Sequence, residues 1–348
     1  MIISRTPFRV SFFGGGTDYP VWYKEHGGAV LATSIDKYCY ISLRHLPPFF
    51  EHKSRIVYSR IEAVDSVSRI EHPAVRECLS YMEVSDGLEI HHDGDLPARA
   101  GLGSSSSFTV GLLHALYALK QSMPTKMRLA EDAIRVERDL IKESVGSQDQ
   151  VTAALGGFNK VRFQPDGTIA VEPVIVRHDR LESLQDHLML FFTGFSRHAS
   201  EIAKTQVRNT PKKTAELKAI LAMVDEGLSL LSGKSDLLDF GKLLHEGWSL
   251  KRSLSDQIST PAVDEVYAAA RKAGAVGGKL LGAGGGGFIL LFARPQDRPR
   301  IRKALAKLLH VPFRFENSGS AIIFYDQNSR EREFSMLDRG PARSKATR

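Results

Sequence analysis

The sequence predicts a mixed α/β chain folded as two units, and three observations carry that reading. Its 348 residues suffice for two domains sharing an interface or for one large domain, and 42% hydrophobic with 25% charged residues is ordinary globular composition. Helix-like and strand-like patterns alternate along it, punctuated by glycine-rich islands at 13–18, 100–107 and 274–287. A polar run at 178–187 lies between strand-like stretches and marks the expected boundary. The expected units are 1–182 and 183–328, followed by a charged, disordered tail at 329–348.

Taken in order, residues 30–43 read as extended, with Ile35, Tyr38, Tyr40 and Ile41 among polar neighbours. A shorter strand at 88–92 leads into the turn Asp93-Gly94-Asp95. From 104 to 119, Phe108, Leu112, Leu113, Leu116 and Leu119 fall on one helical face; from 129 to 141, Ala133, Ile134, Leu140 and Ile141 do the same. Two helices follow over 212–247, the first on Leu217, Ile220, Leu221 and Val224. A helix over 263–273, a strand at 287–292, a helix at 301–309 and a strand at 320–325 complete the pattern.

Composition excludes several function classes. No apolar run approaches the roughly 20 residues of a membrane span, and the first 16 residues do not read as a secretory signal. Cys39 and Cys78 are too few and too far apart for a disulfide framework or a metal knuckle, so a reducing cytoplasm is expected. The net charge is +7, but residues 330–348 carry six basic side chains against three acidic ones. The remainder has no stripe of basic and aromatic residues. No nucleic-acid partner is expected; an anionic small molecule is, with the chain acting alone or as a homodimer.

The second island, Pro97-Ala98-Arg99-Ala100-Gly101-Leu102-Gly103-Ser104-Ser105-Ser106-Ser107, stands between a strand pattern and an apolar helix. Gly101 and Gly103 remove side chains where backbone must approach phosphate oxygens. The serines then put hydroxyls and free amides at a helix N-terminus, where the dipole favours an anion. A flexible linker is the rival reading, but a linker would not open directly onto a strongly apolar helix. The third island, Gly282-Ala283-Gly284-Gly285-Gly286-Gly287, matches G-x-G-x-x-G with the flanking elements reversed: a helix precedes it and a strand follows. It reads as a loop packed against the phosphate site, or else as a tight turn.

Two carboxylates stand out. Glu137 lies three and four residues from Ile134 and Ala133, and from Leu140 and Ile141, so helical geometry puts it on the apolar stripe. An ionised carboxylate there needs a cation, either an arginine or a hard divalent metal ion such as Mg²⁺. Asp149, in Gly146-Ser147-Gln148-Asp149-Gln150, reads on spacing alone as a helix N-cap sooner than as a catalytic group.

Together the islands resemble the three motifs of the GHMP kinases. Residues 6–19 are similar to the first motif, 97–105 to the Pro-x-x-x-Gly-Leu-Gly-Ser-Ser loop and 279–288 to the third, so the resemblance spans about 2–326. It implies an N-terminal domain like domain 2 of ribosomal protein S5 and a ferredoxin-like C-terminal domain, with ATP phosphates on the second loop (Pro97, Gly101–Ser107 region). It further implies Mg²⁺ on Ser105 (or its neighbour Ser104) and Glu137, Asp149 as base or orienter in place of the N-cap reading, and Arg9 beside the transferring phosphoryl group. Substrate contacts are implied at Gly15, Gly16, Thr17 and Asp18, and at Gly284 and Gly285. The chain departs from galactokinases at Gly14-Gly15-Gly16-Thr17-Asp18 and at Phe8, which puts galactose in doubt.

Segments 14–20, 34–38, 193–199 and 245–252 resemble the heptose kinases of the superfamily. That likeness implies transfer to the anomeric hydroxyl of D-glycero-D-manno-heptose 7-phosphate, for nucleotide-activated heptose and surface polysaccharide. A sugar phosphate needs cations, and Arg197, Lys251, Arg252 and the Lys53/Arg55 pair are the candidates. Another sugar such as fucose or galactose, or a non-catalytic sensor of nucleotide or sugar, stands as the alternative.

Overall fold

Two sheets organise the chain in the computed structural model, which describes residues 1–47, 49–85, 87–98, 101–194 and 199–326. Arg197 and the tail at 329–348 lie outside the described residues.

The first unit opens with β1 (Ile2–Phe13), α1 (Pro20–His26) and β2 (Gly28–His45), followed by β3 (Ser54–Val57), β4 (Ile61–Val64) and α2 (Pro73–Tyr81). It continues with β5 (Leu88–Gly94), α3 (Ser104–Leu119), α4 (Lys126–Arg135), α5 (Gln148–Leu155), β6 (Phe158–Phe163) and β7 (Ile169–Pro173). The second contains α6 (His178–His187), β8 (Leu188–Phe192), α7 (Ala199–Asn209), α8 (Thr214–Ser232), α9 (Leu237–Ser253) and α10 (Pro261–Lys272). After these come β9 (Ala275–Leu280), β10 (Phe288–Ala293), α11 (Arg298–Ala304), β11 (Leu309–Val311), β12 (Phe315–Glu316) and β13 (Ala321–Tyr325).

The larger sheet has nine strands, with the path β13-β1-β2-β5-β3-β4, and with β12 and β6 also on β2 and β7 on β6. The smaller has the order β11-β8-β10-β9, antiparallel throughout. Strand β10 is buried at every position, which is why Phe288–Ala293 reads as an unbroken apolar run and not an alternating one. Helix α3 crosses β1 and β2 with Leu112, Leu113 and Leu116 fully buried. Each such leucine contributes roughly 1.5–3 kcal/mol relative to exposure, so this packing fixes where the N-terminus of α3 points.

Three expectations need correction. The expected boundary at 182/183 falls inside a helix, His178–His187, which forms because Leu184 is fully buried and Leu181, three residues earlier, also packs on the core. Residues 183–328 do not all join the second unit: β12 pairs with β2 and β13 with β1, so the chain returns to the first sheet at its end. The helix at 129–141 is α-helical only to Arg135. A π turn, Val136–Leu140, follows, with Ile141 N–H donating to Val136 O at 2.9 Å. Such turns concentrate at functional sites, and this one carries Glu137.

Candidate active site

The centre of the site is an ion pair between residues 140 apart in sequence. Arg9 comes from β1, whose backbone is tied to the second island by Arg9 N–H donating to Leu102 O at 3.0 Å. Its guanidinium forks onto Asp149, with Nε to Oδ1 and Nη2 to Oδ2 both 2.8 Å, while Nη1 donates to Gly101 O at 2.8 Å. This bidentate geometry is the strong form of the interaction. Asp149 stands inside the first turn of α5, not at its cap, and its carboxylate is held by Arg9 with one N–H on each oxygen. A Cβ on Gly103 would lie 3.2 Å from Arg9 Cγ and 3.4 Å from Asp149 Oδ2. The pair therefore touches the glycine loop.

Gly103, with φ +74°, is the N-cap of α3. The first amides of a helix have no acceptor four residues back, so this end offers donors and positive potential to an anion. The four serines differ in use. Ser107 donates to Pro7 O at 2.8 Å, Ser106 donates to Glu137 Oε2 at 2.9 Å, Ser105 is exposed and Ser104 is half-buried. The serine that reaches Glu137 is thus Ser106, one position beyond Ser105, since each helical residue turns the side chain by about 100°. Pro97 is half-buried ahead of the loop.

Glu137 is fully buried. Its Oε2 also accepts from Gln150 Nε2, whereas Oε1 has no hydrogen-bond partner. Burial pushes its pKa up to about 7, against the hydrogen bonds its carboxylate accepts. A buried carboxylate with one free oxygen beside a serine hydroxyl fits a hard divalent cation. Among the described residues no group of three His, Cys, Asp or Glu could hold a metal by itself. An ion here would complete its shell with phosphate oxygens and water.

The first island makes the other wall. Asp18 is buried, with Oδ1 accepting from Gly16 N–H at 3.0 Å and Oδ2 from Gln148 Nε2 at 3.0 Å. Burial raises its pKa, partly offset by the Gly16 bond; the nearby charge of Asp149 raises it further. A Cβ on Gly146 would fall 1.8 Å from Asp18 Oδ2, so only glycine fits there. Gly15 stands beside Gln148, and Gly16 has φ +107°. Thr17 is a brace and not a ligand group: it is fully buried, and its hydroxyl is engaged with Gly14 O, Ala29 O and Ala29 N–H.

The third island packs on the second through backbone. A Cβ on Gly101 would meet Leu281 O at 2.4 Å, and one on Gly282 would meet Gly101 Cα at 2.4 Å. Gly284 and Gly285 close instead on the 255–258 turn, with Gly285 N–H donating to Ile258 O at 3.0 Å. Two buried lysines complete this side. Lys251 donates to Gly282 O, and Lys279 to Phe12 O at 2.8 Å. Burial, then Arg9, pushes Lys251 down to about 8; Lys279 lies well below its usual range, through burial and then Lys251. Both line a pocket of about 10 Å³ with Phe12, Gly15 and Met223.

Other cation candidates fall away from this cluster. Arg252 pairs with Asp264 at 2.9 Å on the surface, and Arg55 pairs with Glu89 at 3.3 Å. Lys279, Gln148 and Gln150 were given no role from sequence, and Ser106 was expected on the ATP phosphates and not on Glu137. Lys279 had a signal, since a charge inside an otherwise apolar strand raises the same question as Glu137 did.

The model for the N-terminal domain of GHMP kinases matches residues 67–157, and the model for their C-terminal domain matches 205–311. The D-glycero-alpha-D-manno-heptose 7-phosphate kinase of Campylobacter jejuni is 26% identical over 88% of this chain and 93% of its own. A mevalonate kinase of Pyrococcus abyssi is 24% identical over 86% of this chain and 90% of its own. The crystal structure of a D-glycero-D-manno-heptose 1-phosphate kinase from Bacteroides thetaiotaomicron superposes with a TM-score of 0.75 at 23% identity, covering 92% and 98% of the two chains.

Proposed function

The chain belongs to the GHMP kinases, and from that premise we propose that it phosphorylates the anomeric hydroxyl of D-glycero-D-manno-heptose 7-phosphate. As a member it is an ATP-dependent phosphotransferase with an alcohol acceptor. The observation that carries the mechanistic reading is the Arg9–Asp149 fork lying against Gly103, at the mouth of α3.

In this reading the ATP phosphates lie on the amides of the α3 N-terminus. The Asp149 carboxylate accepts a hydrogen bond from the sugar hydroxyl, aims its oxygen at the γ-phosphorus and takes its proton as the phosphoryl group transfers. Arg9 holds Asp149 in place and sets positive charge beside the transferring group. Asp18, fixed by Gly16 and Gln148, accepts from another sugar hydroxyl. Glu137 and Ser106, with Ser105 one step away on the helix, would hold Mg²⁺, which would neutralise phosphate charge when bound.

The heptose assignment is supported by the Campylobacter relative and by the resemblance of segments 14–20, 34–38, 193–199 and 245–252 to heptose kinases. Lys251 supports a phosphorylated acceptor, since it is a buried cation within electrostatic reach of Arg9, Asp18 and Asp149. The product would feed nucleotide-activated heptose and surface polysaccharide in the cytoplasm. No helix among the described residues is long and apolar enough to cross a membrane.

ATP consumption with heptose 7-phosphate, unphosphorylated heptose, heptose 1-phosphate, fucose and galactose tests the reading. Heptose 7-phosphate should give the highest kcat/KM; a higher value for any unphosphorylated sugar would reject the substrate while leaving the kinase assignment intact.

A further inference from the structure

A cavity of about 350 Å³ opens where the first sheet meets the second, and none of its lining residues belongs to the cleft described above. Its charged and titratable lining is Asp36, Lys37, Asp186, Arg298, His310 and Arg314, with Gln185 beside them and an apolar wall from β8 and β11. Asp36 and Lys37 lie in β2 of the first sheet, where the cavity borders the second unit, and the proposed mechanism gives these two residues no task.

The cations here are underused. Among the described residues half-buried Arg298 donates only Nη1, to Asp186 O at 2.9 Å, and the guanidinium of exposed Arg314 has no hydrogen bond or ion pair. Lys37 donates to Asp36 O at 3.2 Å and reaches the Asp36 carboxylate only at a loose 3.4 Å. Burial, then the charges of Arg302 and Arg298, hold His310 below its ordinary pKa, as a positive local potential would. The carboxylates differ: Asp36 accepts from Arg314 N–H at 2.7 Å, bracing the 312–314 turn, while Asp186 is exposed. Free guanidinium donors match a phosphate, and carboxylate oxygens match hydroxyl donors. The volume is that of a small-molecule pocket.

We propose that this cavity is a second binding site, for a phosphorylated sugar, distinct from the catalytic cleft. Arg298 and Arg314 take the phosphate, and Asp36 and Asp186 take the sugar hydroxyls. Because Asp36 and Lys37 come from β2 and the other groups from the second unit or its connection back, a ligand here ties the two sheets together and bears on catalysis through their relative orientation.

The test is calorimetry on the full chain with a non-hydrolysable ATP analogue saturating the cleft. The probes are glucose 6-phosphate, fructose 1,6-bisphosphate and inorganic phosphate. The sugar phosphates should bind more tightly than inorganic phosphate. Arg298→Ala/Arg314→Ala should weaken them about tenfold or more, as expected for losing charge-assisted hydrogen bonds, with kcat/KM for the kinase reaction unchanged. Arg314→Ala alone, whose side chain supports no other bond, should weaken them several-fold and covers the case in which the double variant folds poorly. Unchanged affinity in the single variant, inorganic phosphate binding as tightly as the sugar phosphates, or a soaked crystal with the probe in the cleft alone would each overturn the proposal.

Discussion

The two walls of the cleft bury opposite charges in opposite ways. On the phosphate-loop wall Glu137 keeps one oxygen without a partner. On the third-island wall both lysines are capped by backbone carbonyls, Lys251 by Gly282 O and Lys279 by Phe12 O. The first wall holds a carboxylate oxygen with no partner, whereas each lysine of the second already has one acceptor and keeps further N–H donors for an anion. An unpaired buried charge costs several kcal/mol and neutralises itself where it can, so the first wall is where a ligand has most to offset. Asp149 stands where the walls meet.

Breaking the junction should give the largest effect. Asp149→Asn removes the ionised end of the Arg9 fork, and kcat should fall about 10³-fold, within the range for a lost acid–base group. Affinity for an ATP analogue should stay within about threefold, because the α3 N-terminus is untouched. Retained turnover would dissolve the catalytic assignment.

The next effect sharpens the contrast through pH. Glu137 has a folded pKa of about 7, above its ordinary 4.5. Its contribution to stability is therefore full below pH 4.5 and is lost as pH rises through 7, by roughly 3 kcal/mol at most. Lys251 runs the other way. With a folded pKa of about 8, below 10.5, its contribution is present above pH 10.5 and lost as pH falls through 8. The metal-free protein should accordingly be least stable near pH 7–8. The rise in Tm on adding Mg²⁺ should grow between pH 5.5 and 8, since the ion must displace a proton at the lower pH. Glu137→Gln should flatten that trend and raise the half-saturating Mg²⁺ about tenfold or more. A Mg²⁺ titration identical to wild type would remove Glu137 from the metal site.

How much of this could be read from sequence divides along physical lines. Local periodicity placed α3 and turned Glu137 inward, because both are properties of a single helix. The glycine islands were readable because close backbone approach excludes side chains, and Gly101 against Leu281 O at 2.4 Å is such an approach. Arg9 and Asp149 carried no signal of each other, since their pairing is a tertiary fact; only the family resemblance put both at one site. The choice between Ser105 and Ser106 depends on where α3 begins, and a one-residue phase error exchanges an exposed hydroxyl for a buried one. The return of β12 and β13 to the first sheet was invisible for a similar reason: strand pattern reveals a strand, not its partner.

The smallest effects separate Lys251 from Arg252, which sequence alone treats as equals. Adjacent positions on a helix point about 100° apart, so one faces the cleft and the other cannot. Lys251→Met keeps the length of the side chain while deleting the charge, and the fold should hold, since replacing a buried charge by an apolar isostere is often neutral. KM for the phosphorylated sugar should rise about tenfold, with little change for an unphosphorylated one; equal changes for both would deny Lys251 a phosphate contact. Arg252→Ala breaks only the exposed pair with Asp264. Surface pairs of this kind are worth about 0–1 kcal/mol, so kcat/KM should stay within about twofold of wild type. A larger loss in kcat/KM would mean that α9 turns between the free and substrate-bound states, and the contrast between its two basic residues would then belong to only one of them.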